Sequence, residues 1–253
     1  MSARRVLTLA GHDPTGGAGV QADIEAIAAQ GVAAFSVITA LTVQDSTNVQ
    51  RVEAVAPALL QQTLAVLLAD CRVDAIKIGL IGDAAQVPVI AATLDQLAVP
   101  VVLDPVLRAG GGTPLANAEL QAALLRELLP RVTLLTPNAA EARRLSGCAA
   151  VDAAGPALLP AGAGAVLVTG GDEPSAGVQD VLFRPGRPPQ AFTAARIAGG
   201  FHGAGCTLAS AIAARLALGE PLPQAIDTAR RFTHEALQQA RALGQGRRIP
   251  RRL

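Results

Sequence analysis

The chain has 253 residues, of which 51% are apolar, and a formal net charge of +1 at pH 7. Its charged residues are sparse and mixed in sign, which argues against nucleic acid or a membrane surface as the main partner, because both call for a basic field. No apolar run approaches the roughly 20 residues that span a bilayer, and the cysteines at 71, 148 and 206 suit free thiols in the cytoplasm better than a disulfide framework or a zinc site.

Short apolar runs alternate with alanine-rich amphipathic stretches along the whole chain. The run at 4–10 predicts a first strand rather than a signal peptide, because it stops at polar and turn residues. Further strands are predicted at 34–41, 74–81, 99–105, 132–138 and 165–171, with an edge pair at 177–183 and 189–196. Helices are predicted at 20–30, 57–69, 84–97, 118–129, from 139, at 205–218 and at 222–243. The closing stretch GRRIPRRL is the only basic run, and we expect it to be a solvated tail.

Strands that are apolar on both faces and alternate with helices indicate a mostly parallel sheet covered on both sides. We expect one domain over residues 1–253, an α/β fold with three layers in the order α/β/α. Ligands of such folds lie at the carboxyl ends of the strands. The segments that follow the strands are rich in glycine, acids and turn residues: GHDPTGGAG, GLIG, DPVLRAGGG, TPNAAE and TGGDEP. They favour a pocket for a polyphosphate or another polar ligand, and they match neither a dinucleotide fingerprint nor a Walker loop.

The stretch HGAGC, residues 202–206, places bare backbone directly before an apolar helix. Gly203 and Gly205 allow successive N–H groups to turn toward one point, and the helix adds its unpaired amides and its positive dipole end. Together they would form an anion hole for a phosphoryl group. Cys206 lies in the first turn, a position that lowers a thiol's pKa and would let a thiolate take a proton from a substrate hydroxyl. A small buried cysteine after an ordinary turn is the alternative, and the residues alone leave both open.

Several of these stretches together resemble one family. LTLAGHDPTGGAGVQADIEAIAAQG, KIGLIGD, VVLDPVL, TPNAAEARRL and HGAGCTLASAIAA occur in the order found in the hydroxymethylpyrimidine/phosphomethylpyrimidine kinases of thiamine biosynthesis, members of the ribokinase-like superfamily. The resemblance covers residues 5–243. It implies a ribokinase-like fold, ATP and Mg²⁺ as cofactors, and a small pyrimidine alcohol or its phosphate as substrate. Members of the family are often dimers.

The resemblance also implies roles for single residues. Cys206 would be the general base, and Gly203, Ala204 and Gly205 the anion hole. The substrate would be held by Gly11, Asp23, Gln44, Leu80 and Val106, the nucleotide by Asn138, Thr169 and Gly171, and the metal by Asp104 and Glu141. A carboxamide such as Gln44 can pair with both the amino group and the ring nitrogen of an aminopyrimidine. Asp23 is expected in the first turn of the first helix, within reach of the substrate's hydroxyl.

Lys77 is the only lysine and lies in a nearly continuous apolar strand. A lone charge there is costly unless it has a partner. We expect its side chain to point toward the carboxyl end of the strand and to meet an acid, in a structural rather than a catalytic role.

The chain departs from the typical family pattern on the nucleotide side. Gly200 and Phe201 replace an Asn-Thr pair, Thr169 replaces a common lysine, and the stretch 107–110, Leu-Arg-Ala-Gly, replaces one that usually carries a lysine. We hypothesise that Arg108 supplies part of the missing positive charge. Two alternatives stay open: a pyridoxine or pyridoxal kinase, against which Gln44 weighs, and a pyrimidine sensor without catalytic activity.

Overall fold

The computed structural model describes residues 3–253, which fold around one sheet of nine strands. The strands are β1 (Arg5–His12), β2 (Ala33–Gln44), β3 (Val49–Ala54), β4 (Ala75–Ile78), β5 (Val101–Leu103), β6 (Leu134–Leu135), β7 (Val166–Val168), β8 (Gly177–Arg184) and β9 (Arg187–Ala195). Their order across the sheet is β3-β2-β1-β4-β5-β6-β7-β8-β9. The six strands from β2 to β7 in this order run parallel, while β3 at one edge and β8 and β9 at the other pair antiparallel.

The helices are α1 (Gly19–Ala29), α2 (Pro57–Asp70), α3 (Val87–Leu94), α4 (Ala118–Ala123), α5 (Ala139–Ser146), α6 (Val151–Leu158), α7 (Ala204–Ala217) and α8 (Leu222–Gln238). A 3₁₀ turn, Ala84–Gln86, precedes α3, and α4 continues through a π turn, Leu124–Leu128, into a 3₁₀ turn, Leu129–Arg131. None of the helices in residues 3–253 combines the length and the hydropathy needed to cross a bilayer.

Side chains of the central strands alternate between two cores, as the two-residue period of a strand requires. Leu7 and Leu9 of β1 enter a core formed with α2 to α6. Val6 of β1 enters a second core formed with α1, α7 and α8. The chain is therefore a three-layer α/β/α fold, as predicted, and the carboxyl ends of the parallel strands meet along one edge of the sheet.

Two elements were not predicted. β3 is a short edge strand whose Arg51–Glu53 ion pair faces solvent. Because it contains polar and charged residues rather than an apolar run, its sequence did not predict a strand. α6 contains Gly155 and Pro156, residues that disfavour helix interiors. A Cβ at Gly155 would collide with the ring of Phe183, so this glycine allows α6 to pack closely against β8.

The prediction of a solvated C-terminal tail is wrong, as is the extension of the last helix to 243, since α8 ends at Gln238. The Arg252 side chain is fully buried and reaches Glu25 at 3.1 Å. Its Nε donates to Thr207 Oγ1 at 2.8 Å, and its Nη2 donates to the Gly17 carbonyl. Arg252 thus fastens the last residues to the starts of α1 and α7. Tertiary contacts of this kind cannot be predicted from the local pattern of charges in the sequence.

Candidate active site

A cleft of about 430 Å³ opens where the parallel strands end. All but one of the residues predicted for the site line this cleft: Gly11, Gln44, Leu80, Asp104, Val106, Asn138, Glu141, Thr169, Gly171, Gly203, Ala204, Gly205 and Cys206. Segments that are far apart in sequence therefore converge at one place. The individual roles of these residues remain predictions.

Asp23 is the exception, and its predicted contact with the substrate does not fit the structure. The residue lies in the second turn of α1, is completely buried, and does not line the cleft. Its Oδ2 accepts a hydrogen bond from Thr8 at 2.5 Å, and its Oδ1 accepts one from Ser210 at 2.7 Å. Lys77 Nζ donates to both oxygens, at 2.8 and 2.9 Å. With every oxygen engaged by protein donors, Asp23 has no free lone pair directed at a ligand.

Lys77 itself behaves as expected. A Cβ at Gly79 would lie 2.5 Å from its Nζ, which places the ammonium toward the carboxyl end of β4. Burial alone would lower the pKa of Lys77, but the charges of Asp23, Cys206 and Asp104 outweigh it and raise the pKa. Lys77 is therefore a permanent positive charge beneath the floor of the cleft.

The glycine loop before α7 has the backbone that an anion hole requires. Gly203 is the N-cap of α7 with φ +85°, and no side chain caps the helix. A Cβ at Gly203 would collide with the Gly17 carbonyl oxygen, so the loop packs directly against the turn before α1. A Cβ at Gly205 would lie 3.6 Å from Asp104 Oδ2. The amides of this loop and a carboxylate thus face the same part of the cleft.

Cys206 does not have the lowered pKa that its position at a helix start predicts. Burial raises the pKa of its thiol to about 12, and the charges of Asp104 and Asp23 add to that effect, while Lys77 and the Gly19 backbone oppose it. Desolvation outweighs the helix dipole here. In the protein alone, Cys206 is consequently a thiol and not a thiolate.

Asp104 and Glu141 carry pKa values shifted in the same direction. Burial raises the pKa of Asp104 to about 6, against the opposing effect of Lys77. Burial and then the charge of Asp104 raise the pKa of Glu141 to about 7, against hydrogen bonds from the backbone of Asn138 and Leu107. Two buried carboxyls that repel each other across a cleft are the type of oxygen donor that Mg²⁺ accepts. Residues 3–253 contain no cluster of three or more side chains able to hold a metal, so other ligands would have to come from the substrates.

Glu141 also shapes the cleft. It forms a capping box with Asn138 at the start of α5, and its Oε1 accepts a hydrogen bond from the Leu107 amide at 2.9 Å. The preceding residue, Val106, has φ +38°, which is strained for a β-branched side chain. Glu141 thus holds the loop after β5 in a conformation that this loop would not adopt alone.

The opposite end of the cleft lies at β1 and β2. A Cβ at Gly11 would lie 2.8 Å from Leu80 Cδ2, so Leu80 packs against β1 at this wall of the cleft only because residue 11 lacks a side chain. Gln44 Nε2 donates to Thr42 Oγ1 at 2.6 Å, and that hydroxyl donates to the His12 carbonyl at 2.8 Å. The hydrogen bond to Thr42 fixes the orientation of the Gln44 carboxamide at the wall of the cleft.

Asp13 and His202 also line the cleft. They lie inside two of the quoted motifs, but no role was predicted for them. His202 Nε2 is 2.7 Å from Asp13 Oδ2. Burial would raise the pKa of Asp13, but hydrogen bonds from His202 and Thr15 outweigh it and hold the pKa below its usual value. The pair joins the turn before α1 to the loop before α7. The sequence did contain an indication of these two residues, because each is a polar residue within a glycine-rich motif.

Comparison with known proteins agrees with this geometry. The family model for phosphomethylpyrimidine kinase matches residues 13–250. A hydroxymethylpyrimidine/phosphomethylpyrimidine kinase of Rhizobium meliloti is 40% identical over 95% of this chain and 94% of its own. The thiamine biosynthesis bifunctional protein ThiED of Geobacter sulfurreducens is 39% identical over 95% of this chain and 50% of its own.

A solved structure is similar over nearly the whole fold. The pyridoxal kinase of Bacillus subtilis, in its ADP complex, superposes with a TM-score of 0.90 at 31% identity and covers 99% of this chain and 98% of its own. The fold is thus ribokinase-like, as the resemblance implied, and the protein is a phosphotransferase. Because the family model matches almost the entire chain, this chain belongs to the phosphomethylpyrimidine kinase family.

Proposed function

We propose that this protein transfers the terminal phosphoryl group of ATP to the hydroxymethyl group of 4-amino-5-hydroxymethyl-2-methylpyrimidine, and then phosphorylates the monophosphate to the pyrophosphate, as a step of thiamine biosynthesis. The observation that carries the proposal is the position of the Gly203–Cys206 loop. It opens into the same cleft as Gln44 at one end and Thr169 at the other. A phosphoryl group held by the loop would lie between an acceptor and a donor.

The substrate end suits an aminopyrimidine. Gln44 can present a carboxamide to the amino group and the neighbouring ring nitrogen, and Gly11, Leu80 and Val106 form a surface for the flat ring. Asn138, Thr169 and Gly171 would lie along the nucleotide. Alignment of this kind supplies most of the catalysis in phosphoryl transfer, together with stabilisation of the charge on the moving group.

Asp104 and Glu141 would hold Mg²⁺. When bound, the ion neutralises phosphate charge during transfer. The two residues fit the ion because they are buried acids with raised pKa values, and each raises the need for a cation by its charge. Each would release its proton as the ion binds, so binding is expected to strengthen as the pH rises through 7.

Cys206 would take the proton of the substrate hydroxyl as that oxygen attacks phosphorus. Its raised pKa means that the thiol must first lose its own proton in the loaded cleft, and the Asp104 carboxylate, to which Cys206 is hydrogen-bonded, would receive it. The monophosphate needs no such base, because its attacking oxygen is already ionised. The free cysteines and the use of ATP fit an enzyme of the cytoplasm, and a homodimer stays a prediction from the family resemblance.

A pyridoxal kinase is the second candidate, favoured by the similarity to the Bacillus subtilis enzyme. The test is turnover of the aminopyrimidine alcohol, its monophosphate and pyridoxal, each with ATP and Mg²⁺ and with product identification by mass spectrometry. We expect kcat/KM for the aminopyrimidine to exceed that for pyridoxal by about 100-fold or more, because a hydrogen-bonding site rejects a ring that leaves its polar groups unpaired. A preference for pyridoxal, or no transfer to either ring, would refute the proposal.

A further inference from the structure

Four arginines line the cleft, and two of them make several hydrogen bonds to other protein groups. Arg230 Nε pairs with Asp180 at 2.5 Å, and its Nη2 donates to the Phe192 carbonyl. Arg196 donates to a set of backbone carbonyls in the loop after β7. Lys77, below the cleft, is bound to Asp23. Arg196 and Lys77 are therefore not available to a ligand, and the Arg230 guanidinium keeps only its Nη1 without a hydrogen bond in residues 3–253.

Arg247 differs from them. It lines the cleft, is half-buried, and within residues 3–253 its guanidinium makes no hydrogen bond and no ion pair. A Cβ at Gly110 would collide with its Nη1, and one at Gly200 would lie 3.4 Å from its Cγ. The side chain therefore lies between the turn after β5 and the loop before α7, where both neighbours are glycines that present only backbone.

Arg108 lies at the same turn. Its Nε donates to the Gly112 carbonyl at 2.6 Å, and a Cβ at Gly112 would lie 3.4 Å from its Nη2. The other nitrogens of Arg108 make no hydrogen bond in residues 3–253. Both guanidinium groups therefore lie against the same turn of glycines, and two positive charges at one turn favour the binding of an anion there.

The backbone of Arg247 shows which end of the cleft it serves. Its amide donates to the Ser46 carbonyl at 2.9 Å, and the Gly246 amide donates to Ser46 Oγ at 3.0 Å. Ser46 follows β2 and Gln44. The turn after β5 that holds the Arg247 side chain itself packs on the segment after β2, since a Cβ at Gly111 would collide with Asn48 Oδ1. Arg247 thus spans the acceptor end of the cleft.

We propose that Arg247, with Arg108 beside it, binds the phosphate of the monophosphorylated substrate and thereby serves the second phosphorylation. This rests on the proposed function and adds to it a residue of the C-terminal segment. A guanidinium fork suits a phosphate monoester because it can donate two parallel hydrogen bonds. The anion could also be the phosphoryl group in transfer, which shares the same chemistry, and the experiment separates the two.

The experiment compares Arg247→Ala, Arg247→Lys and Arg108→Ala with the unchanged protein. Both phosphorylations are followed separately, and binding of the monophosphate without ATP is measured by calorimetry. Arg251→Gln is the matched control, because it removes the same charge from an exposed side chain that lies four residues away and outside the cleft. Thermal unfolding of each variant establishes that it is folded.

For Arg247→Ala we expect the KM and Kd for the monophosphate to rise about tenfold or more, with the KM values for the alcohol and for ATP within about twofold. Arg247→Lys should recover part of the loss, Arg108→Ala should show a smaller loss of the same kind, and Arg251→Gln should show none. Equal losses in both phosphorylations would assign Arg247 to the transferred group and overturn the inference, as would unchanged monophosphate binding. If the unchanged protein binds the monophosphate but does not phosphorylate it, the proposed function fails while the binding inference is still tested by the Kd values.

Discussion

At the scale of single residues, the ion pair between Lys77 and Asp23 bears most on stability. Both side chains are completely buried, and the pair joins β4 to α1, with Thr8 of β1 and Ser210 of α7 bonded to the same carboxylate. One charged cluster therefore ties two helices to the sheet directly below the cleft. Its positive charge also lies close enough to Asp104 and Cys206 to affect the pKa of each.

Removing one member of this pair leaves an uncompensated charge in the core. Lys77→Met is expected to lower the free energy of unfolding by about 3–5 kcal/mol, measured by urea denaturation. Arg51→Gln, which breaks an ion pair exposed to solvent, should change it by less than about 1 kcal/mol. Losses of similar size in the two variants would mean that the buried ion pair stabilises the fold no more than the exposed ion pair does.

At the scale of elements, the loop before α7 depends on the turn before α1. Gly203 approaches the Gly17 carbonyl, His202 bonds to Asp13, and Arg252 donates to Gly17 and to Thr207. The two helix starts are thus held together by a backbone contact, a side-chain pair and the C-terminal arginine. The position of the amides in the proposed anion hole is consequently a property of the assembled elements and not of the glycine loop alone.

Gly203→Ala tests this dependence, since its Cβ would displace the loop from Gly17. We expect kcat to fall about 100-fold or more, the usual effect of losing donors to a developing negative charge. Gly31→Ala is the matched control: φ is +75° and no atom lies within 4 Å of a Cβ there. It should lower stability by about 1 kcal/mol and leave kcat unchanged, whereas a similar loss of activity in both variants would show that backbone strain alone is responsible.

At the scale of the whole molecule, burial of acids in the cleft makes stability depend on pH. The folded-state pKa values of Asp104 and Glu141 are raised to about 6 and about 7 from 3.8 and 4.5. At a pH between the unfolded-state and folded-state pKa of each group, the folded protein binds more protons than the unfolded chain. Its stability therefore falls as the pH rises through this range. Asp13, whose pKa is lowered, affects the pH dependence of stability in the opposite direction. It contributes stability that is lost only in acid, as the pH falls below about 4.

We therefore expect the free energy of unfolding of the ligand-free protein to fall by roughly 5 kcal/mol between pH 4.5 and 7.5, measured by denaturation across that range. Asp104→Asn should reduce the slope. Asp95→Asn, an exposed acid with a lowered pKa, should not. A stability that rises with pH over this window would contradict the assigned burial of the two carboxyls.

The sequence predicted those features of the molecule that depend on local pattern. Short apolar runs identified most of the sheet, and the glycines at 203 and 205 identified the loop, because backbone freedom is a property of the residue itself. Three expectations failed for a common reason. The partners of Asp23, the desolvation of Cys206 and the docking of Arg252 all depend on residues distant in the chain, which local pattern does not report.

The most direct test of the account is the Cys206→Ala variant in single-turnover experiments on the two phosphorylations. We predict that transfer to the pyrimidine alcohol falls by about 100-fold or more, because the attacking hydroxyl loses its base. Transfer to the monophosphate should fall by less than about tenfold, since its oxygen needs no deprotonation. Equal losses in both steps would contradict the account and make Cys206 a structural residue of the loop.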